Sequence, residues 1–337
     1  MTPASGSCSA RQASSDDWTL IDLAPPVADL RADARAGLRA SPKRLSSKYF
    51  YDARGSRLFE AITRQPEYYL TRVETALLEA VAPRIAQRVG PNVHVVELGT
   101  GSGIKTRQLL DALDDPVAYT SVEISKAALI DSTRALAAQF PHLQLLPVCA
   151  DFTRPVPLPP ARRAARRTLV FFPGSTLGNF DDDDALELLR SIRQTMGTHG
   201  LALLGFDLVK PVERLEAAYN DAAGVTAEFT LNLLARLNRE ADGRFDLNRF
   251  AHHAAYSVER ERIETAIVSR EAQTVDVAGE TVHFDAGERI EVEISRKYTG
   301  ASIRGIAAES GLAVAETWTD AARDFALVLL RAQDADA

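Results

Sequence analysis

Apolar residues fall in short runs through the middle of the chain. VHVVEL (93–98), AYTSVE (118–123), LQLLPV (143–148), TLVFF (168–172) and LALLGF (201–206) each read as a buried strand. Between them the apolar spacing becomes helical. Helices are expected over 71–89, with a bend at Pro83, from Lys105, from Ser125, and after Asp181–Asp184, whose acids suit a helix N-terminus on a solvated face. Strand and helix in alternation predict a parallel sheet covered on both faces. After residue 207 the rhythm changes. Residues 211–240 are helical, whereas ETAIVSR (264–270) and QTVDVAGETVHFD (273–285) alternate as strands do. A helix over 301–310 leads to strands at 313–319 and 325–332. Only the polar TDAARD joins these last two, too short for a parallel crossover, so the pair is antiparallel.

Upstream, helical spacing covers 27–40 and ends before Ser41-Pro42, and a second helix spans Ser56–Thr63. Around it lie Tyr49, Phe50, Tyr51, Phe59, Tyr68 and Tyr69, too many aromatics for a linker. They form either a small aromatic subcore or the wall of a substrate pocket. An α/β sheet closed by an antiparallel hairpin is the seven-stranded arrangement of S-adenosylmethionine (SAM) methyltransferases. The expected division is a SAM-binding unit at 73–207 and 296–337, a substrate-binding α+β unit at 19–72 and 208–295, and a flexible tail over 1–18, rich in Ser, Ala and Asp.

Composition narrows the classes. The chain has 337 residues and a formal net charge of −7, a balance that disfavours nucleic acid as a partner. No apolar run reaches membrane-spanning length, and the N-terminus lacks the apolar core of a signal peptide. The two cysteines, Cys8 and Cys149, make neither a disulfide framework nor a metal-ligand spacing, so a reducing cytoplasm and no metal are expected. A monomer is expected.

The candidate chemistry starts at VVELGTGSGIKT (95–106). A triphosphate loop needs Gly directly before its Lys, and here Ile104 precedes Lys105. A dinucleotide loop needs a third glycine for close helix packing, and Ile104 stands in that place too. A SAM loop fits better, because Gly99, Gly101 and Gly103 let the backbone approach the methionine end of the cofactor. Glu123, about twenty residues after the loop, suits ribose hydroxyls of either cofactor. Asp151 and Phe152 end the third strand, where a carboxylate can meet the adenine amine and a ring its face.

FYDARGSRLFEAITRQPEYYLTR, VELGTGSGIKTR, CADF, FFPGSTLGNF, GFDLVK, AAYNDAAGVTAEF and EISRKY are the specific blocks of a likeness that spans about residue 36 to the C-terminus. With these blocks the chain resembles the histidine Nα-methyltransferases of ergothioneine biosynthesis, which convert L-histidine to its betaine, hercynine. The resemblance implies cofactor contacts at Tyr68, Gly99, Gly101, Lys105, Glu123, Asp151 and Phe152. It implies Tyr51, Asn179 and Tyr219 around the amine and carboxylate of the amino acid, with Tyr51 and Asn179 as the catalytic pair. Glu293 and Ser295 read the imidazole, and Phe59, Tyr68, Gly174, Thr226 and Thr265 line the pocket. Two positions depart from the family pattern: Glu123 stands where Asp is usual, and Thr265 where many members have Met.

The residues also carry a bland reading. Glu293 and Ser295 share one strand face, and so do Glu291 and Lys297, as on a solvated edge. The resemblance favours the other reading, in which a carboxylate and a hydroxyl satisfy the two imidazole nitrogens. It implies free histidine and its mono- and dimethyl forms as substrates. The same chemistry on another aromatic amino acid, such as tryptophan, is the alternative: Thr265 leaves room for it, and Glu293 opposes it, because indole-methylating fungal relatives lack the corresponding acid. A nicotinamide-dependent oxidoreductase is more distant.

Overall fold

A computed structural model describes residues 18–25, 29–101 and 103–333. The tail expected over residues 1–18 lies outside the described residues except at Trp18. The largest element is a nine-stranded sheet with a helix-covered parallel centre. Running across it, the strands are Ile21–Asp22, Val148–Cys149, Ala118–Glu123, Val93–Leu98, Arg167–Phe172, Leu201–Asp207, Phe325–Ala332 and Leu312–Thr319, and Gln144–Leu145 pairs beside Ala118–Glu123. All pairs are parallel up to Leu201–Asp207, and Phe325–Ala332 then runs antiparallel to both its neighbours. This is the expected methyltransferase arrangement with its closing hairpin where TDAARD places it, widened from seven strands to nine by Ile21–Asp22 and by the division of one expected strand in two. The central strand Val93–Leu98 is buried at every position, as a strand covered on both faces must be.

The helices follow the predicted spacing within a few residues: Leu70–Val89 with Pro83 inside it, Ile104–Ala112, Lys126–Gln139 capped by Ser125, and Asp182–Met196 with three acids in its first turn. One strand differs from expectation. Residues 143–148 divide into Gln144–Leu145 and Val148–Cys149, because Pro147 cannot donate to the ladder.

A four-stranded sheet runs in the order Lys43–Arg44, Arg289–Arg296, Arg262–Ser269, Phe250–Ser257. Phe229, Leu233, Leu234 and Leu237 of helix Val225–Glu240 pack on Phe250, Ile267, Ile290 and Val292 of this sheet. Asp52 caps helix Ala53–Ile62 through the Gly55 amide at 2.7 Å and accepts from Asn232 at 2.9 Å and Arg239 at 2.6 Å. That carboxylate fastens the aromatic N-terminal segment to helix Val225–Glu240. Residues 19–72, expected as one body, are divided: Ile21–Asp22 joins the large sheet while Lys43–Arg44 joins the small one.

Candidate active site

The glycine loop leaves the central strand with Gly99, Gly101 and Gly103 all at positive φ (74°, 49° and 69°), which explains why glycine recurs there. Beneath it Glu97 is buried, accepts from Thr106 at 2.7 Å and Tyr119 at 2.5 Å, and so ties the strand to the first turn of the next helix. Burial pushes its carboxyl up to about 7. Gly99 faces Phe152: a Cβ on Gly99 would lie 3.8 Å from that ring. Phe152 is held edge-on against Phe172 at 5.7 Å. Glu123 ends its strand opposite Cys149 and accepts from the Ser125 amide at 3.1 Å. Asp151 accepts from the amide and hydroxyl of Thr153 at 3.0 and 2.7 Å. Gly99, Gly101, Glu123, Asp151 and Phe152 therefore gather at the carboxyl ends of three adjacent parallel strands, the ligand edge of such sheets, whereas Tyr68, also expected at the cofactor, lies with Phe59 and Tyr219.

Lys105 reaches across to the end of the next strand, Arg167–Phe172, where it donates to Glu74 at 2.5 Å. Glu74 is buried and also accepts the Gly174 amide at 2.7 Å. Gly174 adopts φ 86° and lies beside the Lys105 ammonium, 3.7 Å from where its Cβ would be. Glu74 thus joins the glycine loop to the PGSTLGN turn, a role invisible in TRVETALLEA, where it is one helical acid among several.

The aromatics answer their question in halves. Tyr49, Phe50 and Tyr69 are core residues, at 4%, 0% and 3% exposure, whereas Tyr51 is 48% exposed. Tyr51 meets Phe59 and Phe229 edge-on at 5.7 Å, Phe59 meets Tyr68 at 6.3 Å, and Tyr68 meets Tyr219 at 6.4 Å. Each such pair contributes about 0.5–1.5 kcal/mol beyond the area it buries. Burial raises the Tyr68 hydroxyl; half of Tyr51 meets solvent, yet the protein packed round it, with the neighbouring Glu293 and Tyr219, raises its hydroxyl too. Both keep their protons at neutral pH.

Glu293 and Ser295 lie on Arg289–Arg296, and Thr265 sits directly across from Glu293. Thr265 is buried with its hydroxyl unpartnered among the described residues. Burial pushes the Glu293 carboxyl up to about 7, while Lys297 pulls it down. Thr226 begins helix Val225–Glu240, whose first amides, Val225 and Thr226, are capped by Asp221 at 2.8 and 2.7 Å. Asn179 ends the 3₁₀ turn Thr176–Asn179, and its side chain is exposed. The turn crosses the strand so closely that a Cβ on Gly178 would meet the Arg296 carbonyl at 2.8 Å.

The solvated-edge reading fails at Lys297, which is 0% exposed. A β-bulge is the reason. Glu293 pairs with Thr265 and Glu291 with Ala266, which leaves Val292 unpaired and flips the phase of the strand. Ile290, Glu293 and Ser295, paired with Ile267, Thr265 and Ile263, so come to one face, Lys297 continues it beyond Ser295, and Glu291 stays exposed on the other. Lys297 donates to Asp207 (2.8 Å), Tyr219 (2.9 Å) and Ser295 (2.8 Å), and Tyr219 donates to Ser295 at 2.8 Å. Asp207 also accepts from Tyr69 and Lys210. Tyr69, Asp207, Lys210 and Lys297 were not among the expected site residues, although PEYY, GFDLVK and EISRKY contain them. Among the described residues no cluster of His, Cys, Asp and Glu could hold a metal ion, and no helix is long and apolar enough to cross a membrane.

A methyltransferase sheet with glycine loop, strand-end acids and a facing aromatic ring defines a SAM-dependent methyltransferase. Residues 30–332 match the family model described as histidine-specific methyltransferase, SAM-dependent, and the chain belongs to that family. It is 42% identical to the histidine N-alpha-methyltransferase of Mycolicibacterium smegmatis over 89% of this chain and 94% of that one. The same coverage at 38% identity relates it to the histidine N-alpha-methyltransferase of Mycobacterium tuberculosis. A 4-dimethylallyltryptophan N-methyltransferase of Aspergillus fumigatus is 25% identical over 91% of this chain and 98% of its own length. The dehydrogenase alternative is overturned by this membership.

Proposed function

We propose that the protein moves three methyl groups in succession from SAM to the α-amino group of L-histidine, giving hercynine for ergothioneine biosynthesis. The observation that carries the reading is the pair of half-buried Glu293 and buried Ser295 on one strand face, beside the aromatic wall of Tyr51, Phe59, Tyr68 and Tyr219. A carboxylate that accepts and a hydroxyl that donates match the N–H and the bare nitrogen of a neutral imidazole.

Gly99 and Gly101 admit the methionine end of SAM, Lys105 steadies its carboxylate, Glu123 takes the ribose, and Asp151 and Phe152 hold the adenine. Tyr51 and Asn179 orient the substrate amine, and Gly174, Thr226 and Thr265 shape the remaining space; Tyr219, expected at the carboxylate, instead gives its one hydroxyl proton to Ser295 and backs the ring-reading pair. In each transfer the amine lone pair forms the N–C bond as the C–S bond breaks. The C–S electron pair stays on sulfur, which leaves S-adenosylhomocysteine. The methyl group is already activated, so the protein supplies position more than chemistry. The amine loses a proton before each attack, to water or through the Tyr51 hydroxyl. A tyrosine-lined site accommodates the amine as it grows, because aromatic faces attract methylated cations.

A second reading, another aromatic amino acid, draws support from Thr265, whose small side chain opens space across from Glu293. Both readings take the protein as a cytoplasmic monomer built of two units, one for cofactor and one for substrate, acting on free small molecules and not on nucleic acid. Glu293→Ala separates the two readings. It is expected to weaken histidine use strongly and to shift competition toward neutral aromatic amino acids. Unchanged histidine selectivity in the competition assay removes Glu293 from the reading.

A further inference from the structure

The network under Ser295 has a property that hydrogen-bond counting exposes. An ammonium has three protons and no lone pair. Lys297 directs all three, to Asp207 at 2.8 Å, Tyr219 at 2.9 Å and Ser295 at 2.8 Å. A serine hydroxyl has one proton and two acceptor positions. Ser295 accepts from Lys297 and from Tyr219, both at 2.8 Å, so both acceptor positions are taken. Its single proton is left for a third partner, and Glu293, on the same strand face, marks the side on which a ring would meet both. Asp207 fixes Lys297 from the opposite side. It is itself 0% exposed, and it is held by Tyr69 at 2.8–2.9 Å, by Lys210, and through its backbone amide by Ser175 at 2.9 Å. The chain of contacts runs from the end of the central sheet, through Asp207 and Lys297, to the strand that carries the ring-reading residues.

We propose that Lys297, held by Asp207, is a positioning residue that makes Ser295 a fixed hydrogen-bond donor toward the substrate ring. The ring that satisfies such a site presents a bare nitrogen to Ser295 and an N–H to Glu293. That is a neutral azole in one tautomer. An indole has no acceptor nitrogen to offer, and an imidazolium would turn an N–H toward the Ser295 proton. Specificity for the ring then originates two residues away from Ser295, in a side chain that never touches the substrate. This inference rests on the histidine reading above.

The test is a double-mutant cycle on Lys297 and Ser295. Histidine Kd is measured by calorimetry with S-adenosylhomocysteine present, and kcat and the SAM KM are measured alongside. Lys297→Met keeps the volume of the stem and removes the donors. It is expected to weaken histidine binding about tenfold, the size of one net hydrogen bond. The SAM KM should stay within about twofold, since no SAM-side residue is touched. Ser295→Ala should cost about the same, and the double variant no more than either, because both remove one interaction. If Lys297→Met does not fold, the charge-neutral Asp207→Asn/Lys297→Met pair takes its place. Multiplying losses in the double variant, histidine affinity unmoved by Lys297→Met, or equal losses in histidine and SAM binding would each overturn the proposal. If the unmutated protein does not methylate histidine, the functional reading fails first; if it does and the cycle is additive, only the role of Lys297 fails.

Discussion

Glu293 carries a cost that can be measured without substrate. Burial lifts its carboxyl from 4.5 to about 7, even with Lys297 drawing it down. A group whose folded value is raised holds its proton more tightly in the folded state, so stability falls as pH rises from the unfolded value through the folded one. Below about pH 4.5 the carboxyl is neutral in both states and costs nothing. Above about pH 7 it is ionised in both, and the folded state bears a penalty of order 3 kcal/mol at most, reduced by whatever water enters the pocket. Glu293→Gln keeps the shape and removes the charge. Urea unfolding of the ligand-free protein should therefore show the variant more stable than the parent at pH 8, by about 1–3 kcal/mol, with the gain gone near pH 4.5. The same change should weaken histidine binding about tenfold to a hundredfold, since a charged acceptor for the ring N–H is lost. Equal stabilities at pH 8, or a gain that persists unchanged at pH 4.5, would refute the claim that the site holds a desolvated carboxylate.

Other outcomes follow from the same geometry. Tyr51→Phe should change the number of methyl groups added more than it changes histidine affinity, and unchanged methyl stoichiometry by mass spectrometry counts against Tyr51 in amine handling. Phe152→Ala should raise the SAM Kd about tenfold with histidine binding at saturating SAM little changed, a split that calorimetry resolves. Gly205→Ala should destabilise the protein by about 1–3 kcal/mol in urea, since its Cβ would lie 2.4 Å from the Glu74 carboxylate and 3.0 Å from the Phe325 ring.

What the sequence made legible has a physical pattern. Hydrophobic runs fixed the parallel strands because strands buried on both faces leave long apolar signals, as VHVVEL does. The glycine loop and its strand-end carboxylates were legible because their spacing follows from the β-α-β repeat. Lys297 was not, because the alternation of EVEISRK places it with Glu291 on one face. The unpaired Val292 reverses that phase, and a bulge leaves no mark in a pattern of apolar and polar residues. Asp207 and Lys210 sit in GFDLVK where acid and base normally mark the end of a strand at the surface, yet Asp207 is fully buried. Their value depends on partners at positions 69 and 297, and pairings that distant are tertiary facts. The two-residue strand Ile21–Asp22 was missed for a simpler reason: two residues carry no periodicity.

The central claim is tested most directly by incubating the protein with SAM and each amino acid in turn, then weighing the products by mass spectrometry. Mass gains of one, two and three methyl groups are expected on histidine, with the trimethylated betaine accumulating, and none on tryptophan, tyrosine or phenylalanine. Methylation of tryptophan with histidine left unchanged would contradict the claim.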